Sequence, residues 1–144
     1  MNKVLVLNGP NLNRLGSREP DVYGTQSHED LVAIAQVEAD RLRLTVSVKQ
    51  SNDEAELINW IHEAVDSKTH VIINPAAFTH YSYALRDACA LVTTSGLKLI
   101  EVHISNPHAR ETFRHTSVIS GVATGVIAGF GLDSYRLALV QLSH

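Results

Sequence analysis

A disulfide framework is excluded at once in this 144-residue chain, because Cys89 is its one cysteine and has no partner to pair with. Its expected role is core packing. Long apolar runs are also missing. Val4-Leu5-Val6-Leu7 and Val71-Ile72-Ile73 fall far short of the roughly 20 residues that span a bilayer, so no membrane segment is expected. A strand-like run opens the chain with no charged leader, apolar region and cleavage site ahead of it, and a cytoplasmic home is the expectation. There is no excess of basic charge: twelve Lys and Arg stand against fifteen Asp and Glu. A nucleic-acid partner is therefore not expected. Arg14, Arg18, Arg110 and Arg114 instead fall in two loop-like clusters, an arrangement suited to a small anion.

Several catalytic motifs are absent too. Eight histidines are present, yet there is no His-Glu-x-x-His and no Cys-His cluster, and His103 with His108 is not a helical i, i+4 pair. No metal is expected. No Gly-x-Ser-x-Gly elbow occurs, and Cys89 falls in the middle of a helical segment, which argues against nucleophilic hydrolysis. The stretch from Gly9 to Gly16 matches neither Gly-x-Gly-x-x-Gly nor a Gly-Lys-Ser/Thr loop, so no nucleotide cofactor is expected either.

What is present is the composition of an ordered globular protein, 44% apolar and 19% charged, in a length that suits one domain over residues 1–144. Short β-rich runs alternate with longer helical periods, the pattern of βα units around a parallel sheet. Strands are expected over residues 3–8, 44–49, 70–74, 97–104 and 123–129. The first and third are apolar throughout, as strands covered on both faces are, whereas Thr45-Val46-Ser47-Val48 alternates and belongs at an edge. The order 2-1-3-4-5 with helices on both faces follows, an α/β doubly wound sheet of flavodoxin-like type. Helices are expected to begin near Ser27, Asp53, Tyr81 and Leu132. Ser51 and Glu54 read as a capping box for the second of them, with Leu57, Ile58, Ile61, Ala64 and Val65 as its apolar stripe.

Ligands of such sheets bind outside the carboxyl ends of the strands, near the point where strand order reverses. The ends of the first, third and fourth strands are rich in hydrogen-bonding groups: Asn8-Gly9-Pro10-Asn11, Asn74-Pro75, and Glu101-Val102-His103-Ile104-Ser105-Asn106. The connection from Gly9 to Gly24 is far longer than the roughly 2–6 residues usual between strand and helix, a length that fits either a lid or a plain surface excursion. Within it, a guanidinium at Arg18 would favour the phenolate of Tyr23 and make it a base. A tyrosine that only packs its ring and bonds its hydroxyl to the backbone fits the same spacing. Glu101 and His103, two apart on a strand, face the same way, so the carboxylate can orient the imidazole as a general acid. A sheet-end histidine satisfied by backbone groups is the alternative. His80 and His115 are equally open.

Together, Leu7-Asn8-Gly9-Pro10-Asn11-Leu12, the Arg18-Glu19-Pro20 to Tyr23-Gly24 loop, Asn74-Pro75-Ala76-Ala77 through Thr79-His80, and Glu101-Val102-His103-Ile104-Ser105-Asn106 resemble the type II 3-dehydroquinate dehydratases over essentially the whole chain. Leu85-Arg86-Asp87-Ala88 and the run from His108 to Arg114 continue the likeness. The resemblance implies a cofactor-free lyase of the shikimate pathway, built as a dodecamer (a tetramer of trimers), that converts 3-dehydroquinate to 3-dehydroshikimate through an enolate. It implies Tyr23 as proton acceptor, His103 as donor, and Arg18 as the group that keeps Tyr23 ionised and stabilises the transition state. Asn11 and Asn74 would position substrate and a water on the enolate oxygen. His80, Ile104, Ser105 and Arg114 would hold ring hydroxyls and carboxylate, with Glu101 and Arg110 in support and Asp87 arriving from a neighbouring subunit. The likeness departs at Ala76, where many relatives have glycine, and at Phe78, where some have tyrosine or leucine. Ala76 is expected to narrow the space beside the substrate carboxylate.

Overall fold

In the computed structural model, which describes residues 2–17 and 19–144, the alternating runs form one five-stranded parallel sheet in the order β2-β1-β3-β4-β5. Its strands are β1 (Lys3–Asn8), β2 (Thr45–Gln50), β3 (His70–Asn74), β4 (Leu99–His103) and β5 (Gly125–Ala128). This is the flavodoxin-like order expected, with the half-exposed β2 at one edge and the buried β1 and β3 inside. The fourth and fifth strands are shorter than the apolar runs that announced them. Lys98 donates its backbone N–H to the His70 side chain at Nδ1 rather than to a backbone carbonyl of β3, and the Ile104 carbonyl accepts from Gly131 beyond the end of β5.

Pleating sends alternate side chains into two cores. Val4, Val6, Ile72, Ile100 and Val102 face α2 (His28–Leu42) and α5 (Asp133–Leu142), whose contributions include Leu31, Ala35, Tyr135 and Leu139. Leu5, Leu7, Val71, Ile73 and Leu99 face α3 (Glu54–Asp66) and α4 (Tyr83–Thr94), with Leu57, Ile61, Leu85, Cys89 and Val92. Each fully buried Leu or Ile contributes roughly 1.5–3 kcal/mol relative to exposure. That is ample reason for the two-sided pattern to set the layers. Cys89 is one such packing residue, and burial pushes its thiol up to about 12, where it stays protonated and unreactive.

The expected stripe on α3 is there, but its cap is not the expected one. Asp53 occupies the N-cap and accepts from Ala55 N at 2.9 Å, while Ser51 Oγ accepts from Asp53 N at 2.9 Å. Ser51 therefore stands one turn residue too far out to reach the helix, and Glu54 accepts from Ser82 Oγ instead. Ser82 is itself the N-cap of α4, taking Leu85 N at 3.0 Å, so α4 starts at Tyr83, two residues later than expected. A capping box does occur on α2, between Ser27 and Asp30.

β1 and β3 run in register, Asn8 opposite Asn74, and the chain turns off both strands within contact distance. Gly9 N donates to Asn74 O at 2.8 Å, and a Cβ on Gly9 would lie 2.6 Å from Pro75 O, which is backbone and cannot swing aside. Gly9→Ala is expected to cost about 1–3 kcal/mol by forcing the two strand ends apart. The reading is a lower urea midpoint at unchanged slope; an unmoved midpoint would show that the ends part freely.

Candidate active site

The carboxyl ends of β1, β3 and β4 surround one cavity, lined by Asn11, Tyr23, Asn74, His80, His103, Ile104, Ser105, Arg110 and Arg114 among others. The strand-end rule and the polar strand termini thus lead to the same place. Of the remaining expected site residues, Glu101 lies behind His103, Asp87 sits exposed on α4 away from the cavity lining, and Arg18 lies outside the described residues.

Tyr23 ends α1 (Pro20–Tyr23), a single turn begun by Pro20 in the long connection after β1. Its ring packs against the α2/α5 core, and its hydroxyl oxygen accepts from Arg110 Nη1 at 2.7 Å. The same guanidinium nitrogen donates to Ser105 Oγ at 3.3 Å, and the guanidinium carbon stands 5.0 Å from the Tyr23 ring centre. Glu19 and Glu111 carboxylates flank Arg110 at 3.7 and 3.8 Å and hold the fork in place. A guanidinium can only donate, so this bond strengthens when the phenol gives up its proton. Sequence reasoning placed Arg110 in support. The structure brings it directly onto the tyrosine oxygen, 87 residues away in the chain.

At the end of β4, strand parity puts Glu101 and His103 on one face, as expected, with Glu101 Oε2 2.5 Å from His103 Nε2. Glu101 is 1% exposed and is further bonded by Ser117 Oγ at 3.1 Å to both oxygens and by Ser120 Oγ at 2.8 Å. Burial pushes this carboxyl up, but the His103 bond and charge and the two serines outweigh it and hold it below the ordinary 4.5. The carboxylate accepts, so Nε2 carries a hydrogen and Nδ1 is the ring nitrogen left for other partners. Ser117 and Ser120 carried no signal in the sequence, being sixteen and nineteen residues from the carboxylate they hold.

A carboxyl held below its unfolded value binds fewer protons in the native state, so its stabilising contribution is complete above about pH 4.5 and is lost as pH falls through the folded value. Glu101→Gln is therefore expected to flatten the acid limb of stability below about pH 4.5 relative to the parent chain. Urea midpoints measured down the acid series decide it; parallel curves would show that another group governs acid unfolding.

His80 Nδ1 donates to Thr116 O at 2.9 Å, and its ring meets Phe113 edge-on at 5.6 Å. Burial lowers its pKa, helped by the Arg114 and His103 charges and opposed by the Thr116 bond, so His80 is a neutral ring presenting Nε2. Arg114 is held by Glu111 at 3.2 Å with its guanidinium over the Phe113 ring, a fixed cation at the rim. Ala76 lines the cavity with φ at +53°, a left-handed conformation that glycine adopts without the Cβ penalty. Among the described residues no group of three or more His, Cys, Asp and Glu side chains gathers to hold a metal, and no helix is long and apolar enough to cross a membrane.

A tyrosine bonded to a guanidinium and a carboxylate-backed histidine line one cavity at the strand ends, groups whose chemistry is that of proton transfer in an enzyme. The class II dehydroquinase family model matches residues 2–143. A 3-dehydroquinate dehydratase of Salinispora arenicola is 57% identical over 141 residues, covering 98% of this chain and 96% of that protein. The crystal structure of a type II dehydroquinase from Propionibacterium acnes superposes with a TM-score of 0.95 at 50% identity, covering 99% of this chain and 97% of that one. A type II dehydroquinase structure from Butyrivibrio crossotus gives 0.95 at 46% identity, covering 99% and 98%. The chain belongs to the class II dehydroquinase family.

Proposed function

We infer that this chain, as one catalytic domain over residues 1–144, dehydrates 3-dehydroquinate to 3-dehydroshikimate in the shikimate pathway. The observation that carries the reading is the placing of Tyr23 with Arg110 and of His103 with Glu101 around one cavity of a class II dehydroquinase fold. The proton α to the ketone is weakly acidic, so its removal needs a base and a stabilised enolate, and the hydroxyl must then leave with a proton. Tyr23 takes the first proton, as phenolate. The electron pair is held as the enolate, whose oxygen faces a water positioned by Asn11 and Asn74. The enolate then re-forms the ketone as the carbon–oxygen bond breaks, and His103 protonates the departing hydroxyl to give water. Arg18, together with Arg110, keeps Tyr23 ionised and offsets the growing negative charge. His80, Ile104, Ser105 and Arg114 hold the ring hydroxyls and carboxylate, with Arg114 supplying the fixed positive charge. No Schiff-base lysine and no cofactor enter this sequence of steps.

Assembly as a dodecamer, a tetramer of trimers, and a cytoplasmic setting belong to the same proposal. The reading of Asp87 as a group contributed across a subunit interface is supported by its exposure on α4, where its carboxylate accepts from the adjacent Arg86 at 3.3 Å. Mixing the purified, chelator-treated protein with 3-dehydroquinate and following the ultraviolet absorbance of the conjugated enone tests the activity. A flat trace overturns it, and a sizing measurement tests the assembly.

A further inference from the structure

Beneath the cavity floor, four side chains from four elements form one line of hydrogen bonds. Ala76 N donates to Asn74 Oδ1 at 3.1 Å, and Asn74 Nδ2 donates to Tyr135 Oη at 2.9 Å. Tyr135 Oη donates to Asn8 Oδ1 at 2.6 Å, and Asn8 Nδ2 lies 3.1 Å from His28 Nε2. Asn8 and Tyr135 are 0% exposed and Asn74 4%, so the line is closed to bulk water except where Asn74 meets the cavity. In register, Asn8 and Asn74 stand side by side at the ends of β1 and β3 and share the face that carries Val4, Val6 and Ile72, where Tyr135 rises from α5.

The line has a direction, and one backbone group sets it. A backbone N–H can only donate, so the Ala76 amide assigns the Asn74 oxygen to itself and turns the Asn74 nitrogen toward Tyr135. The tyrosine oxygen, already accepting, gives its proton to the Asn8 oxygen, which leaves the Asn8 nitrogen to donate to His28. His28 must then accept at Nε2, which requires the neutral ring; burial lowers its pKa in the same sense. Reversing the Asn74 amide would set its NH2 against the Ala76 N–H, two donors face to face in a buried site.

Three polar side chains against the apolar cluster of Val, Ile, Leu and Ala on this face are costly to keep unless they are hydrogen-bonded in a fixed orientation. Asn74 alone of the three lines the cavity, where one amide hydrogen and one oxygen lone pair remain after the bonds above. We propose that Tyr135, acting with Asn8 and His28, is a positioning residue that fixes the plane and the sense of the Asn74 amide at the cavity. The proposal rests on the reading that Asn74 holds substrate or its water.

The test is a cycle on the full-length enzyme with 3-dehydroquinate, using Tyr135→Phe, Asn74→Ala and the double variant. Tyr135→Phe is expected to lower kcat about tenfold or more, through loss of alignment rather than of binding, with KM within about threefold. The double variant should have the kcat of Asn74→Ala alone, because residues acting through one another do not add. Additive losses, or a normal kcat in Tyr135→Phe beside an impaired Asn74→Ala, would overturn the positioning role and leave the assignment of Asn74 standing. A normal kcat in Asn74→Ala would remove that assignment and the proposal with it. Should Tyr135→Phe fail to fold, the half-buried His28 decides. His28→Leu is expected to lower kcat and His28→Gln, whose amide oxygen accepts in the same place, to restore it; equal values for the two overturn the proposal.

Discussion

Replacing Tyr23 by Phe is expected to lower kcat by about 10²–10⁴, the range over which a positioned general base contributes, while KM changes little. The ring carries the packing, and in the proposed reaction the oxygen is the base. Phe retains the contacts of Tyr23 with the α2/α5 core and the face presented to the Arg110 guanidinium 5.0 Å away. It loses the oxygen that accepts from Arg110 Nη1 at 2.7 Å. Circular dichroism and thermal unfolding should match the parent chain, because Tyr23 is only half-buried and the deleted group faces the cavity. A variant retaining a tenth or more of parental kcat would move the base elsewhere. Within that result Arg110 has its own measurable part. If its hydrogen bond favours the phenolate, Arg110→Met should lower kcat in the parent and have no further effect on kcat in Tyr23→Phe.

The second large effect is expected at His103. His103→Ala removes the proposed proton donor and should lower kcat by about 10²–10⁴, again with modest change in KM. Unlike the tyrosine change, this one also destabilises the fold. Glu101 is 1% exposed and would lose one of its donors, keeping Ser117 and Ser120. A hydrogen bond to a buried charged group is worth about 1.5–3 kcal/mol, so the unfolding midpoint should fall and activity should be measured well below it. Glu101→Gln separates the two effects. It keeps an oxygen that can accept from the serines and retains the imidazole, so its kcat should fall less than that of His103→Ala. Equal losses would mean that the carboxylate charge, not the imidazole proton, carries the step.

How much of this was legible beforehand differs by feature. The layers were, because Val4, Val6 and Leu5, Leu7 divide by simple parity and the helical stripes repeat at helical spacing. Glu101 beside His103 was legible for the same reason, two residues on one strand. Element ends were less so. The cap of α3 moved from Ser51 to Asp53, since several polar residues compete for one helix start and only the backbone path decides which reaches the first amides. The role of Arg110 was hidden by distance along the chain: nothing local in the run from His108 to Arg114 says that its third residue, rather than its last, meets a tyrosine in the first connection.

By itself, the sequence determined the doubly wound parallel sheet and the strand ends, rich in hydrogen-bonding side chains, as the place where the cavity forms. These follow from periodicity and from residue types at strand ends, which are local properties. The tertiary structure alone decided the partners: Arg110 on Tyr23, Ser117 and Ser120 on Glu101, and the directed line from Ala76 through Asn74, Tyr135 and Asn8 to His28. Apart from the Ala76–Asn74 turn, these contacts join residues from 16 to 127 positions apart once the ends of the strands are brought together, and a hydrogen bond's direction is set only when both of its ends are in place.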